Sequence, residues 1–381
     1  MMKWVSRILK LQLVAIAILT LHPDTAFAQH YKQTNLVSDV MGAAAVQDPN
    51  LVNAWGLSRS STSPWWVSDN GTGLTTLYTG TGSIIPINGT GFVTIPPPKN
   101  APEGTTSAPT GTVFNGSTDF VLPAPNGKPA VFLFCTEDGT ISGWNGGPIA
   151  FLAVDNSNPA FGMGAVYKGM TTAVLNGKRY LYVTNFRAGR VEVYDAQFHP
   201  VHFPGNAFSP FDDGFDGGFV PFGFAPFNIQ NVGGALFVTY AKQDSARHDD
   251  VAGDGSGFVE IFTPDGKHIA HLQHGPWLNS PWGVVWTPRD FGVFSNTILI
   301  GNFGSGKIAA FNGFTYKFIG FVKNLDDSVL SINGLWALAF GNGGNAGPST
   351  TLFFSAGLND EADGLFGTLT ASPSEQDGSV Q

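Results

Sequence analysis

The sequence predicts an all-β fold, a six-bladed β-propeller with four-stranded antiparallel blades. Three observations carry that prediction. A glycine-led phrase recurs six times along the chain. Two short strand-like runs precede each copy. The last copy lacks an outer strand, and an N-terminal segment is available to supply it.

The phrase is aligned on Gly73, Gly139, Gly189, Gly257, Gly306 and Gly364. Two positions later stand Thr75, Ile141, Val191, Val259, Ile308 and Phe366. Five positions later stand Tyr78, Trp144, Tyr194, Phe262, Phe311 and Leu369. The next residue is Thr79, Asn145, Asp195, Thr263, Asn312 or Thr370, types whose side chains bond their own backbone in turns. The glycine supplies a permissive backbone for a tight turn into the strand.

The strand before each glycine is predicted at 65–68, 130–135, 180–184, 235–239, 297–301 and 351–355. These runs are rich in β-branched and aromatic residues, as buried strands should be. A further strand precedes each, at 55–58, 111–114, 172–175, 227–230, 282–286 and 335–340. Each unit is therefore an antiparallel meander. Outer strands follow the polar turn, for example at 149–152, 268–272 and 317–322. After Thr370 the chain reads ASPSEQDGSVQ, too polar for a strand. The segment 34–38, TNLVS, is expected to pair there instead and to clasp the ring, removing two exposed edges.

Residues 1–28 read as a secretory signal peptide. Lys3, Arg7 and Lys10 precede the apolar run 11–21, and Ala26-Phe27-Ala28 fits a small-x-small cleavage site. The expected division is signal peptide 1–28, propeller 29–370 and disordered tail 371–381. The formal charge is −9, and removal of the cationic leader makes the remainder more acidic. Such a surface argues against nucleic acid and anionic membranes as partners. No later stretch suits membrane insertion, so a secreted or periplasmic monomer is expected. Cys135 is the only cysteine, so no intramolecular disulfide is available and a small buried apolar role is expected for it.

The phrases NLVSDV (35–40), DPNLVNAWGL (48–57), WWVSDNGTGLTTLY (65–78) and APFNIQN (225–231) resemble an uncharacterised family of secreted bacterial propeller proteins. Some members of that family carry a PEP-type C-terminal sorting tail, which this chain lacks. The repeat is also distantly similar to NHL-type propellers and gluconolactonase-like calcium hydrolases. The first resemblance implies export and no assigned activity. The second implies a fold.

Ligand sites in propellers gather where the inner strands begin and the second strands end. The residues expected on that rim are Asn53, Trp55, Tyr240, Trp282 and Asn333, although a Trp before Gly also suits a plug of the channel. Leaving the second strands are Asp69, Glu137, Asp138, Asn185 and Asn302. Asp69, Asn185 and Asn302 occupy equivalent places on different blades and are the candidate ligands of one calcium ion. Glu137 or Asp138 is the candidate general base. The acidic loop 241–257 offers a second calcium set, Asp249, Asp250 and Asp254, since calcium takes several oxygen ligands. The loop 357–363 adds Asp360, Glu361 and Asp363. The insert 209–224 alternates Phe with Asp and suits either a lid or packing between blades.

Other apparent motifs carry little. Gly301–Lys307 reads GxxxxGK, but Ile308 replaces Ser/Thr and a strand follows. His268, His271 and His274 are spaced by three; alternate residues of a strand face opposite sides, so three ligands cannot converge and no zinc site is expected there. Two functions follow as expectations. The first is a secreted binding protein for an extracellular or periplasmic ligand, carbohydrate included, at the channel mouth. The alternative is a calcium-dependent lactonase- or esterase-like hydrolase.

Overall fold

The computed structural model describes residues 30–87, 89–158, 163–209 and 220–372. The expected signal peptide (1–28), the end of the expected tail (373–381) and the centre of the Phe/Asp insert (210–219) lie outside them.

Six antiparallel sheets follow one another along the chain. Blade 1 consists of Ala54–Ser58, Trp65–Asp69, Leu74–Tyr78 and Phe92–Thr94. Blade 2 consists of Pro109–Phe114, Phe132–Thr136, Thr140–Trp144 and Phe151–Asp155. Blade 3 has Tyr167–Leu175, Lys178–Asn185, Arg190–Tyr194 and the short Pro200–Val201. Blade 4 has Phe224–Val232, Ala235–Lys242, Gly257–Phe262 and His268–His271. Blade 5 has Pro281–Trp286, Thr297–Asn302, Ile308–Asn312 and Phe318–Phe321. Blade 6 takes only Leu335–Phe340, Leu352–Gly357 and Asp363–Ala371 from the end of the chain.

The outer strand of blade 6 is Tyr31–Ser38, antiparallel to Asp363–Ala371 with Tyr31 opposite Ala371 and Ser38 opposite Leu365. The expected clasp is present and longer than its apolar kernel. Val46–Gln47 adds a short parallel fifth strand outside it. Tyr31 pins the clasp: its ring packs 4.8 Å from that of Phe291, and its hydroxyl donates to the Phe291 carbonyl at 2.8 Å. Phe291, Phe294, Leu299, Leu335 and Phe354 bury it between blades 5 and 6. Comparable apolar seams lie between the other blades. Most strands are consequently buried on both faces, which is why their sequences are continuous apolar runs.

The repeat glycines divide into two kinds. Gly73, Gly139, Gly189 and Gly306 have φ between 66° and 81°, the left-handed turn expected of them. Gly257 and Gly364 do not. A Cβ on Gly257 would stand 2.3 Å from Pro281 Cδ, and one on Gly364 would stand 1.9 Å from the Leu51 carbonyl oxygen. At those two positions the glycine is needed for close approach of a neighbouring segment. Cys135 is buried within blade 2, and burial pushes its thiol up to about 12, so it is an inert core residue as expected.

Candidate functional site

The inner strands share a local device where they enter the channel. Trp55, Thr110, Lys168, Phe227, Trp282 and Trp336 hold equivalent places, followed by Gly56, Gly111, Gly169, Asn228, Gly283 and Ala337. The pairing register shifts at this point in every blade. The shift is a bulge, which frees a backbone N–H from the ladder. In blades 3, 4 and 6 the hydroxyls of Thr184, Thr239 and Ser355 accept from the N–H groups of Gly169, Asn228 and Ala337. The glycines allow the inner strands to close on the axis. A Cβ on Gly56 would lie 2.5 Å from the Thr110 carbonyl, and one on Gly111 2.7 Å from the Met170 nitrogen. A cavity of about 30 Å³ lies between the inner strands, lined by Gly56, Gly111, Met170, Asn228, Gly283 and Ala337 among others, enough for about one water.

Above it the aromatic members form a plug. Trp55 stacks on Trp336 with ring centroids 3.5 Å apart, and Phe303 stacks on Trp336 at 3.9 Å. Trp282 meets both tryptophans edge-on. The exposures of Trp55, Trp282 and Trp336 are 2%, 4% and 1%, so these rings are a floor. Trp55 and Trp282, expected on the rim or in a plug, form the plug, and Tyr240, expected on the rim, is 1% exposed and belongs to the core between blades 3 and 4. A ring that finds apolar neighbours on both faces gains more from burial than from solvent contact.

Lys168 breaks the aromatic pattern. It is 2% exposed, with its ammonium 5.0 Å from the Trp55 ring centroid and 5.8 Å from that of Phe186. It pairs with Glu137 from blade 2 and, at 3.3 Å, with Asp249 from blade 4. Burial alone would lower its pKa, but the two carboxylates more than offset this and raise it. Asn70 of blade 1 donates to the second oxygen of Glu137 at 2.8 Å, and Asn53 donates to Asn70 at 3.2 Å. The Asn53 oxygen in turn accepts from the indoles of Trp55 and Trp336 at 3.0 and 3.3 Å, tying the polar layer to the floor. His248 bonds Asp249 at 2.9 Å. That bond, followed by the Lys168 charge, lowers Asp249 to about 2; the same bond raises His248, against the opposing charge of Lys168.

Blade 6 contributes Glu361 on an unusual turn. Asn359, Asp360 and Glu361 have φ of 54°, 54° and 68°, three successive non-glycine residues in the left-handed region. Each such residue costs on the order of 1–2 kcal/mol, and costs of this kind persist mainly at functional sites. The turn holds Glu361 where it interacts with Glu137, Lys168 and Asp249. Burial, then the Glu137 charge, pushes its carboxyl up to about 7. Its Oε1 is buried without a hydrogen-bond partner.

The remaining expected residues fall elsewhere. Asp69, Asn185 and Asn302 do not form a calcium triad. Asn302 Oδ1 accepts from the Asn279 N–H at 2.8 Å and its amide donates to the Trp277 and Lys307 carbonyls. Asn185 donates to Glu192 and accepts from the Ala188 N–H. Asp69 is fully buried, accepts from Thr76 at 3.3 Å, and burial raises its pKa well above the carboxylate range. Asn185 and Asn302 spend their side chains on nearby protein partners, including the N–H groups of Val166 and Asn279, whereas Asp69 keeps one oxygen buried without a partner, so the three do not share one arrangement. Asp138 accepts from the Ala108 N–H at 2.8 Å, just before the inner strand of its blade. Asp249 is at the mouth, Asp250 is half-buried beside it, and Asp254 is exposed. Asn333 caps the Asn359 N–H at 3.0 Å. Glu137, Asp249, Glu361 and Asn53 are therefore brought together. Sequence reasoning missed Lys168 and His248. The signal for Lys168 was present: aligned on the bulge, it stands where Trp55, Phe227, Trp282 and Trp336 stand.

No protein-family model matches the chain. Two uncharacterised proteins of Acanthamoeba polyphaga mimivirus align over most of it. One is 29% identical over 351 residues, covering 89% of this chain and 80% of its own length. The other is 28% identical over 349 residues, covering 89% and 85%. Among solved structures, a streptogramin B lyase superposes with a TM-score of 0.46 at 12% identity, covering 90% of this chain and 98% of its own. A glucose dehydrogenase gives 0.45 at 14% identity, covering 90% and 100%. At these identities neither enzyme's activity is carried over to this chain. These two relatives in sequence are viral.

Proposed function

We propose that this propeller is an exported binding protein. Its channel mouth takes a small polar ligand rich in hydrogen-bond donors, hydroxyl or ammonium, and a carbohydrate fits that description. The observation that carries the reading is the convergence of Asn53, Asn70, Glu137, Lys168, Asp249 and Glu361, from five blades, over a closed aromatic floor. Acceptors outnumber donors there. Glu361 keeps one buried oxygen for a partner.

Binding is favoured over catalysis because no nucleophile at hand is activated. A catalytic lysine needs a lowered pKa, whereas that of Lys168 is raised. A calcium ion at the mouth would also have to displace the Lys168 ammonium from Glu137 and Asp249. Export rests on residues 1–28, and release of residues 29–381 into the medium or periplasm of an expressing bacterium is part of the proposal.

The test is a thermal-shift panel of neutral sugars, amino sugars, polyamines and calcium on residues 29–381. A ligand at 100 times its dissociation constant stabilises by about 2.7 kcal/mol. A sugar or amine should raise the melting temperature of the native protein and fail to do so in Glu361→Gln. A rise with calcium alone, lost in Asp249→Asn, would overturn this reading in favour of a metal-dependent one.

A further inference from the structure

Blade 4 gathers a second set of chemically capable side chains, away from the channel. Its third and outer strands pair with Glu260 opposite His271, Ile261 opposite Ala270 and Phe262 opposite His268. Ile269 is left over, so the outer strand bulges between the two histidines. On a regular strand His268 and His271, three apart, would face opposite ways. The bulge cancels that alternation and turns both toward Glu260, which corrects the expectation drawn from spacing alone.

The resulting cluster is compact. His268 Nε2 and Glu260 Oε2 lie 2.6 Å apart, with side chains 5% and 2% exposed. The two imidazoles are nearly parallel, at 19°, with centroids 6.4 Å apart. One ligand atom from each of Glu260, His268 and His271 lies within 4.8 Å of the others. His271 Nδ1 is buried and has no hydrogen-bond partner. The Tyr240 hydroxyl, near enough to feel the charge of Glu260, is likewise buried and unpartnered. Buried polar atoms of native proteins are nearly always satisfied, so two of them beside one carboxylate point to an absent partner.

We propose that Glu260, His268 and His271 bind a divalent transition metal of the zinc class on the outside of blade 4. Two imidazoles and a carboxylate are a borderline-soft donor set, suited to zinc and unsuited to calcium or magnesium. Zinc–ligand bonds of about 2.0–2.1 Å put tetrahedral neighbours roughly 3.3 Å apart. The ion would therefore enter between His268 and Glu260, replace the proton they share, and widen their separation by roughly 0.7 Å. That proton leaves to solvent, because the histidine binds as the neutral base. A water molecule or the Tyr240 oxygen completes the set. The ion would staple a four-residue outer strand to its neighbour.

Metal-stripped residues 29–381 should be titrated with zinc by calorimetry and with cobalt(II) by visible absorption. One equivalent should bind, and cobalt should give the intense ligand-field bands of a tetrahedral site. His271→Ala, at a half-exposed position, should fold and lose both signals, as should Glu260→Gln. Asp249→Asn and Glu361→Gln should keep them, which separates this site from the Glu137, His248 and Asp249 group at the channel mouth and from the ligand proposed there. Absence of saturable binding in the native protein would overturn the proposal. So would binding that survives His271→Ala, or binding abolished by Asp249→Asn.

Discussion

The Lys168 ammonium lies 5.0 Å from the centroid of the Trp55 ring, in a place that four other blades fill with an aromatic side chain. A buried charge of this kind is tolerated only because Glu137 and Asp249 meet it from two neighbouring blades. The electrostatics of the channel mouth are thus built on one departure from the repeat.

Replacement of that lysine should expose the arrangement. Lys168→Met leaves Glu137 without its cation. Breaking a buried pair costs roughly 3–5 kcal/mol, and the lower end is expected because Asp249 is 65% exposed. The double variant Lys168→Met with Glu137→Gln should recover most of the loss. Urea denaturation of the three proteins measures both steps. The Lys168 pKa is raised above its ordinary 10.5. Its stabilising contribution is therefore complete below that pH and should fade as pH rises beyond it.

Glu361 predicts the opposite end of the pH scale. Its carboxyl holds its proton from the ordinary 4.5 up to about 7. Between those values the unfolded chain has released a proton that the native state keeps, so stability should fall as pH rises through that window. Each tenfold change in proton affinity is about 1.4 kcal/mol. Glu361→Gln should flatten the profile, as read from melting temperatures at pH 4.5, 5.5, 6.5 and 7.5.

The left-handed turn can be tested by choice of side chain. Asp360, at φ 54°, should tolerate Gly with a change within roughly 1 kcal/mol, as relief of strain offsets the added freedom of the unfolded chain. A β-branched residue should not be tolerated: Asp360→Val is expected to cost about 1–2 kcal/mol. Denaturation midpoints of the two variants check this.

The clasp has its own signature. Tyr31→Phe removes the hydroxyl, which donates to the Phe291 carbonyl at 2.8 Å and accepts from the Phe294 N–H at 3.4 Å, and should cost about 1–2 kcal/mol. Tyr31→Ala empties the seam between blades 5 and 6 and should cost about 3–5 kcal/mol. Equilibrium unfolding resolves the difference.

Much of the fold was legible because blade architecture writes itself into spacing. Glycines, apolar residues and turn formers recur at fixed offsets, and the polar run after Thr370 marked the missing strand that Tyr31–Ser38 fills. The site was less legible, for physical reasons. Asp69, Asn185 and Asn302 looked alike because they are alike: each sits at a strand end, and Asn185 and Asn302 serve their own turns there. Trp55 and Trp282 were read as rim or plug, and only packing decides for the plug. Lys168 stands out only once it is aligned on the bulge. The meeting of His268 and His271 depends on a bulge at Ile269 that periodicity alone cannot reveal. Glu361 depends on three successive left-handed residues, a conformation that Asn359 and Asp360 favour by type but Glu361 does not.

The pairing of Tyr31 with Ala371 also fixes an order of events during synthesis. A ribosome delivers Tyr31–Ser38 first and its partner strand Asp363–Ala371 last. Each of the first five blades can assemble from segments adjacent in the nascent chain. The earliest strand, by contrast, must wait unpaired until Asp363–Ala371 has been translated. The loop entropy of joining such distant segments grows only slowly with length, so the delay is one of time more than of free energy. Throughout it the chain carries an unpaired strand and an unfinished sixth sheet, each able to pair with the same element of another nascent molecule.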